Sequence, residues 1–158
     1  MTKSIRPTKS GDIPALQLVL DGTGLFPSGM LPEMIAGHLA GRATEEVWLT
    51  CERDGTAAGF CYAAPEKLTD GTWNMLALAV LPAWQGKGVG SDIVRNLEKS
   101  LREAGHRVLI ADTSGTSEYE RTRAFYRKNG YAEEARIRDF WAAGNDKVVF
   151  WKSLQDPI

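Results

Sequence analysis

The strongest constraint on this chain's fold is a change of character at residue 81. From Thr72 the sequence runs Trp73-Asn74-Met75-Leu76-Ala77-Leu78-Ala79-Val80, rich in apolar side chains, and then turns into Leu81-Pro82-Ala83-Trp84-Gln85-Gly86-Lys87-Gly88-Val89-Gly90. An apolar run closed by turn residues reads as a strand. The segment beyond the glycines, with Ile93, Val94, Leu97 and Leu101 at helical spacing and Gly105 as a stop, reads as a helix over residues 91–104. Val108-Leu109-Ile110-Ala111 is then a short continuous apolar run, as expected of a buried strand parallel to its predecessor across a helical crossover. Strand, glycine turn, helix and parallel strand together commit the chain to the α/β class.

The flanking segments limit that class further. Ser4-Ile5-Arg6 reads as a first strand, and Ser10-Gly11-Asp12 offers cap chemistry for a helix with Ile13, Leu16 and Leu20 on its apolar face. After a break at Gly22-Thr23-Gly24, the spacing of Leu31, Met34, Ile35 and Leu39 predicts a second helix. Residues 46–52 and 58–63 read as a hairpin turned by Asp54-Gly55, and Asp70-Gly71 marks the next turn. Beyond the crossover, Ser117-Glu118-Tyr119-Glu120 matches a capping box for a helix that ends at Asn129-Gly130. Strands over 131–140 and 147–152 flank Gly144-Asn145-Asp146. The order β-α-α-β-β-β-α-β-α-β-β implies an α/β (α+β) fold with a mixed, mostly antiparallel sheet of about seven strands and flanking helices, not a doubly wound one. At 158 residues and 43% hydrophobic, residues 1–158 fit a single domain with a real core.

Several function classes are disfavoured. A net charge of −1 argues against a nucleic-acid surface or binding to an acidic membrane. No apolar run approaches the roughly 20 residues of a membrane span, and the polar Met1-Thr2-Lys3-Ser4 does not read as a signal peptide, so a cytoplasmic location is expected. Cys51 and Cys61 lack zinc-ligand spacing, and His38 and His106 have no carboxylate or thiol cluster around them, so no metal is expected. With Asp54-Gly55 as the turn, Cys51 faces Ala58 and the two thiols are not opposed.

The glycine turn carries the chemistry. Glycine reaches dihedrals closed to other residues, and the first amides of a helix lack intrahelical partners at the positive end of its dipole, so an anion, above all a phosphate, is the natural guest. The spacing is not G-x-G-x-x-G, since Ser91 stands at the third glycine, and not G-K-[ST], since Lys87 precedes Gly88. What remains is Q-x-x-G-x-G, from Gln85, Gly88 and Gly90. Downstream stands Arg123-Ala124-Phe125-Tyr126-Arg127-Lys128-Asn129-Gly130-Tyr131. The turn resembles the pyrophosphate-binding turn of the GNAT superfamily of acyl-CoA-dependent N-acyltransferases, and the second segment resembles that family's aromatic-tyrosine signature. The element order is similar along nearly the whole chain.

The resemblance implies acetyl-CoA as cosubstrate, no metal, and a small-molecule or peptide amine as acceptor; it also leaves room for a homodimer. It implies that the backbone of Ala79 and Val80 binds the pantetheine arm, and that Gln85, Gly86, Lys87, Gly88, Val89, Gly90 and Ser91 cradle the pyrophosphate. Lys87 is equally readable as a solvated loop lysine. Tyr126 is implied as cofactor-positioning residue and general acid for the departing thiolate; a phenol with an ordinary pKa near 10 is protonated at neutral pH. Arg123 and Arg127 reach the adenine or 3′-phosphate end, or are plain exposed helix arginines. The chain also departs from the family: Tyr119 stands where many members have Asn, and Thr122 where a small residue is usual.

Many relatives carry a Glu on the strand before the glycine turn, and residues 73–80 contain no carboxylate. Asn74 cannot be a base. Asp112, just past the next parallel strand, is the first substitute, against the readings of an ordinary strand-end aspartate or a water relay. Asn74 and Phe26, with Pro27 and Met30, are candidates for the acceptor side. So are Asp139 and Trp141 in the late hairpin, which reads equally well as a solvated turn over a packed Trp141. The leading function is transfer of acetyl to a primary amine of a small metabolite or peptide. Protein N-terminal or lysine acetylation and a catalytically inactive CoA-binding module are the alternatives.

Overall fold

The computed structural model describes residues 3–42 and 45–155. Seven strands form one mixed sheet, β1 (Lys3–Pro7), β2 (Val47–Arg53), β3 (Thr56–Pro65), β4 (Thr72–Val80), β5 (Val108–Ser114), β6 (Ala132–Ala142) and β7 (Asn145–Ser153), in the order β1-β2-β3-β4-β5-β7-β6. The helices are α1 (Ile13–Thr23), α2 (Leu31–Leu39), α3 (Val89–Glu103) and α4 (Glu120–Lys128). Every strand and helix expected from the sequence is present, in the expected order. The chain groups into two compact units, one built from residues up to Ala64 with Leu76–Ser100, the other from Pro65–Met75 and residues from Leu101 onward.

In the first unit, the predicted start of α1 is a 3-10 turn over Ser10–Asp12. The Asp12 carboxylate accepts the Lys9 N–H at 2.7 Å and two guanidinium bonds from Arg6 at 2.7 and 2.8 Å. Arg6 holds that carboxyl below the usual range. Its share of stability is therefore present above the ordinary carboxylate pKa and is lost as pH falls through the lowered value. α1 ends at Gly24, whose φ of 68° places it in the left-handed C-cap and whose N–H bonds Leu20 O at 2.8 Å. Leu16, Val19 and Leu20 of α1 and Leu31 and Ile35 of α2 bury against Trp48, Phe60, Ala77 and Ala79. Burying a side chain of this size is worth roughly 1.5–3 kcal/mol.

The β2–β3 hairpin turns at Asp54 (φ 52°) and Gly55 (φ 78°), two left-handed residues as a type I′ turn requires. Cys51 faces Gly59 rather than Ala58, because a bulge between Cys51 and Glu52 shifts the register. Both thiols are buried and free; burial pushes Cys51 up and Cys61 up to about 12, so neither is a thiolate at neutral pH. A Cβ at Gly59 would meet Ala79 O at 2.8 Å and the Val89 and Ile93 side chains at 3.2 Å. That missing side chain is what lets α3 lie close on the strands, with Ile93, Val94 and Leu97 fully buried. α3 begins at Val89, two residues before the expected Ser91. The chain breaks at Gly88, and Val89, 1% exposed, is already a core contact.

In the second unit, β4 and β5 pair in parallel at Thr72↔Val108, Trp73↔Leu109 and Asn74↔Ile110. β5 is antiparallel to β7 from Val108↔Ser153 to Ser114↔Lys147, which extends it past the predicted Ala111 and places Asp112, opposite Val149, inside the strand. The expected capping box does not form. Ser117–Tyr119 is a 3-10 turn, and neither it nor α4 has a side-chain cap bond. Arg123 supports the turn instead, donating to Ser114 O and Thr116 O at 2.8 and 2.7 Å. The last hairpin is tighter than predicted: β6 runs two residues further, to Ala142, and β7 starts two residues earlier, with Asn145 opposite Ala142. No helix among the described residues is long and apolar enough to cross a membrane.

Candidate active site

The glycine turn lies in the first unit. Leu81 N–H bonds Ala58 O at 2.8 Å, Pro82–Trp84 form a 3-10 turn, and Gly86 and Gly88 take φ of 76° and 84°. Nothing lies within 4 Å of a Cβ built on either glycine, so the requirement there is conformational and the space beside the backbone is open. Gly90 already belongs to α3. The leading amides of that 15-residue helix have no i−4 carbonyl to bond, and they come directly after the open loop. Such a cradle fits a diphosphate.

Side chains around the turn brace it. Gln85 Nε2 donates to Val80 O at 3.0 Å, tying the loop back to the strand it leaves, a role its sequence position alone did not disclose. Lys87 Nζ stands 5.1 Å from the centre of the Trp84 ring on the exposed loop. Ala79 is buried, while Val80 and Ser91 are half-buried. Phe26 is half-buried against the core of α1, α2 and β3, whereas Met30 is 50% exposed.

The second unit holds a polar cluster. Asn74, 5% exposed, directs its amide nitrogen to Glu66 Oε1 at 2.8 Å and to Asp112 Oδ2 at 3.3 Å. Lys147 Nζ lies 3.4 Å from the same Asp112 oxygen and 4.4 Å from the centre of the Phe140 ring. Asn74 Oδ1 and Asp112 Oδ1 are buried acceptors without a hydrogen-bond partner, the usual mark of a bound water or a polar guest. Glu66 escaped the sequence reading: it comes after Pro65 at the end of β3, looks like any turn carboxylate, and meets Asn74 only through the fold.

Tyr126 is 5% exposed, stacked on Phe150 at 5.2 Å and edge-on to Tyr131 and Phe125 at 5.6 and 5.4 Å. A ring wedged among three aromatics has its orientation fixed. Asp139, at φ 55°, shapes the hairpin: its Oδ1 accepts Gly144 N–H and its own N–H bonds Asp146 Oδ1, both at 2.9 Å. Trp141, 49% exposed, donates to Thr113 O at 3.3 Å. Arg127 pairs with Glu133 at 3.4 Å and lies 5.7 Å from the centre of the Phe150 ring.

The sequence matches the family model described as acetyltransferase (GNAT) domain over residues 44–133, more than half of the chain. The chain belongs to the GNAT acetyltransferase family. Its structure is similar to that of a GNAT-family protein from Desulfovibrio desulfuricans, with a TM-score of 0.90 and 28% identity over 98% of this chain and 100% of that one. It is also similar to the ribosomal-protein-S18-alanine N-acetyltransferase of Escherichia coli, with a TM-score of 0.79 and 15% identity over 99% and 97% of the two chains. A Salmonella typhimurium protein whose structure holds acetyl-CoA gives a TM-score of 0.77 and 19% identity over 100% and 97%. No curated protein matches the chain in sequence.

As a GNAT protein the chain has the seven-stranded mixed sheet and flanking helices of that fold. Its β4 carries an amide, Asn74, between two carboxylates contributed by other elements. Among the described residues, no three or more His, Cys, Asp or Glu group together to hold a metal ion.

Proposed function

We propose that the protein is an N-acetyltransferase that moves acetyl from acetyl-CoA directly to the primary amine of a small molecule or peptide. The observation that carries this reading is the open glycine turn at the head of α3, where Gly86 and Gly88 leave the backbone bare beside amides that lack intrahelical partners. On this reading residues Gln85 to Ser91 hold the pyrophosphate, and the main chain of Ala79 and Val80 aligns the arm. The arrangement of bare glycines and helix amides fits a diphosphate and asks for no metal.

Acetyl-CoA supplies a thioester carbonyl, and the chain supplies positioning and proton transfer. The amine arrives largely protonated at neutral pH, so a base or a water relay must take its proton before nitrogen attacks. Asp112 has that role, with Asn74 fixing its Oδ2 and Glu66 on the other side of the same amide. As the new C–N bond forms and the C–S bond breaks, the Tyr126 phenol protonates the departing sulfur. A backbone N–H of Ala79 or Val80 donates to the carbonyl oxygen.

A protein amine as acceptor is the second reading, favoured by the fold shared with the E. coli ribosomal-protein enzyme. An inactive CoA-binding module is disfavoured by the carboxylates around Asn74. Calorimetry with acetyl-CoA followed by thiol release across a panel of small amines and peptides tests all three. Binding with turnover on small amines supports the proposal, turnover on peptides from protein N-termini alone moves it to the second reading, and binding without turnover leaves the module. Absence of acetyl-CoA binding overturns all of them.

A further inference from the structure

The first unit has a second concave site that none of the residues from Gln85 to Ser91 lines. It is a cavity of about 370 Å³ between the strands β1 and β2 and one face of α3. Ile5, half-buried, contributes apolar surface with the fully buried Cys51 beneath, and Lys3, Arg53, Arg95, Lys99 and Asp92 surround it. Asp92, Arg95 and Lys99 fall three and four residues apart, so one side of the helix presents all of them.

The electrostatics are lopsided. Among the described residues, Asp92 is the one carboxylate in the lining, and three cations share it: Arg53 Nη2 and Arg95 Nη2, the latter at 2.6 Å from Oδ1, with Lys3 Nζ at 4.0 Å. Three positive charges on one negative leave a local excess of two. Arg53 sharpens the imbalance. It is 5% exposed, lies beside the Cys51 thiol, and its Nε–H is buried with no hydrogen-bond partner. A guanidinium taken out of water with one donor unmet gains most from a nearby anion.

We propose that this cavity is a binding site for a small organic anion, a phosphate monoester or carboxylate whose charged end meets Arg53, Arg95 and Lys3 and whose apolar body rests on Ile5. A volume of this size is enough for a ring or short chain carrying one acidic group. The exposed rim cations, Lys3 and Arg95, draw the ligand in, and the buried Arg53 fixes its orientation. The site needs neither the glycine turn nor acetyl-CoA, so it stands or falls apart from the proposed activity.

Titration calorimetry of the full chain with phenyl phosphate, benzoate and inorganic phosphate, each with and without saturating acetyl-CoA, tests it. One saturable site per chain for phenyl phosphate or benzoate, unaffected by acetyl-CoA, is expected. Lys3→Ala with Arg95→Ala should weaken binding about tenfold or more, and Asp92→Asn, which removes the competing carboxylate, should tighten it. Acetyl-CoA affinity in the rim variant should match the parent. Displacement by acetyl-CoA would assign the anion to the glycine turn and overturn the proposal, as would binding that the rim variant leaves unchanged or no saturable binding at all. Inorganic phosphate binding as tightly as phenyl phosphate would overturn the part concerning an organic body. Arg53→Gln, if it folds, should lose the site altogether.

Discussion

The glycine turn and the cluster around Asn74 are built from opposite materials. The turn offers main-chain N–H groups, held by two glycines at positive φ and a helix that begins at Val89; its side chains, Gln85 and Lys87, brace or sit outside. The cluster offers side chains from four places in the sequence, Glu66, Asn74, Asp112 and Lys147, and almost no main chain. A backbone cradle tolerates change at most of its side chains and responds to conformation. A side-chain cluster responds to single atoms. The first suits a shared cosubstrate, the second a particular acceptor and its proton.

If that division holds, variants should separate by kinetic constant. The largest effect belongs to Tyr126→Phe, which removes a donor from the departing sulfur: turnover should fall on the order of 10²-fold or more while acetyl-CoA affinity stays near the parent value. Thiol-release kinetics beside calorimetry read both, and unchanged turnover would end the acid role. Asp112→Asn keeps the shape and loses the base, so turnover should fall about 10²-fold, again with little change in cofactor affinity. Glu66→Gln should cost less, about tenfold, because Glu66 acts through the Asn74 amide. A Glu66→Gln enzyme more damaged than Asp112→Asn would exchange the two assignments.

The same contrast explains what could be read in the sequence. Positive-φ glycines and an apolar strand leading into an amphipathic helix are local signals, so the turn, its helix and the whole element order were legible in the residues alone. The helix that carries Tyr126 was legible through its end at Asn129-Gly130. Glu66 was not, because it meets Asn74 only where the chain folds back after β3, its N–H bonding Thr72 O two residues before Asn74. Small register details were lost for the same kind of reason. A bulge at Cys51 moved its partner from Ala58 to Gly59, and a 3-10 turn absorbed the serine expected to cap α4. Asp139, read as an acceptor-side carboxylate, has its Oδ1 engaged in closing a hairpin, which only a left-handed φ and a bond to Gly144 disclose.

On the backbone side the effects should be smaller and fall on the cofactor. Gly88→Ala meets no steric obstacle but must hold φ at 84°, a strain of about 1–2 kcal/mol for a residue with a Cβ. If the chain relaxes instead, the amides at the head of α3 turn away, and the KM for acetyl-CoA should rise roughly tenfold with turnover at saturation preserved. A fall in turnover at unchanged KM would mean that the turn takes part in the chemical step.

The smallest effect is predicted at Lys87. Its ammonium stands over the Trp84 ring on an exposed loop, so any pull on a diphosphate acts through water and is screened at physiological salt. Lys87→Ala should raise the acetyl-CoA KM only about two- to threefold, and that difference should vanish as ionic strength rises, because a screened charge is all that was removed. A tenfold loss that persists in high salt would show the lysine bound directly to phosphate. The cradle would then owe its affinity to a side chain as well as to its amides, and the contrast with the Asn74 cluster would be one of degree.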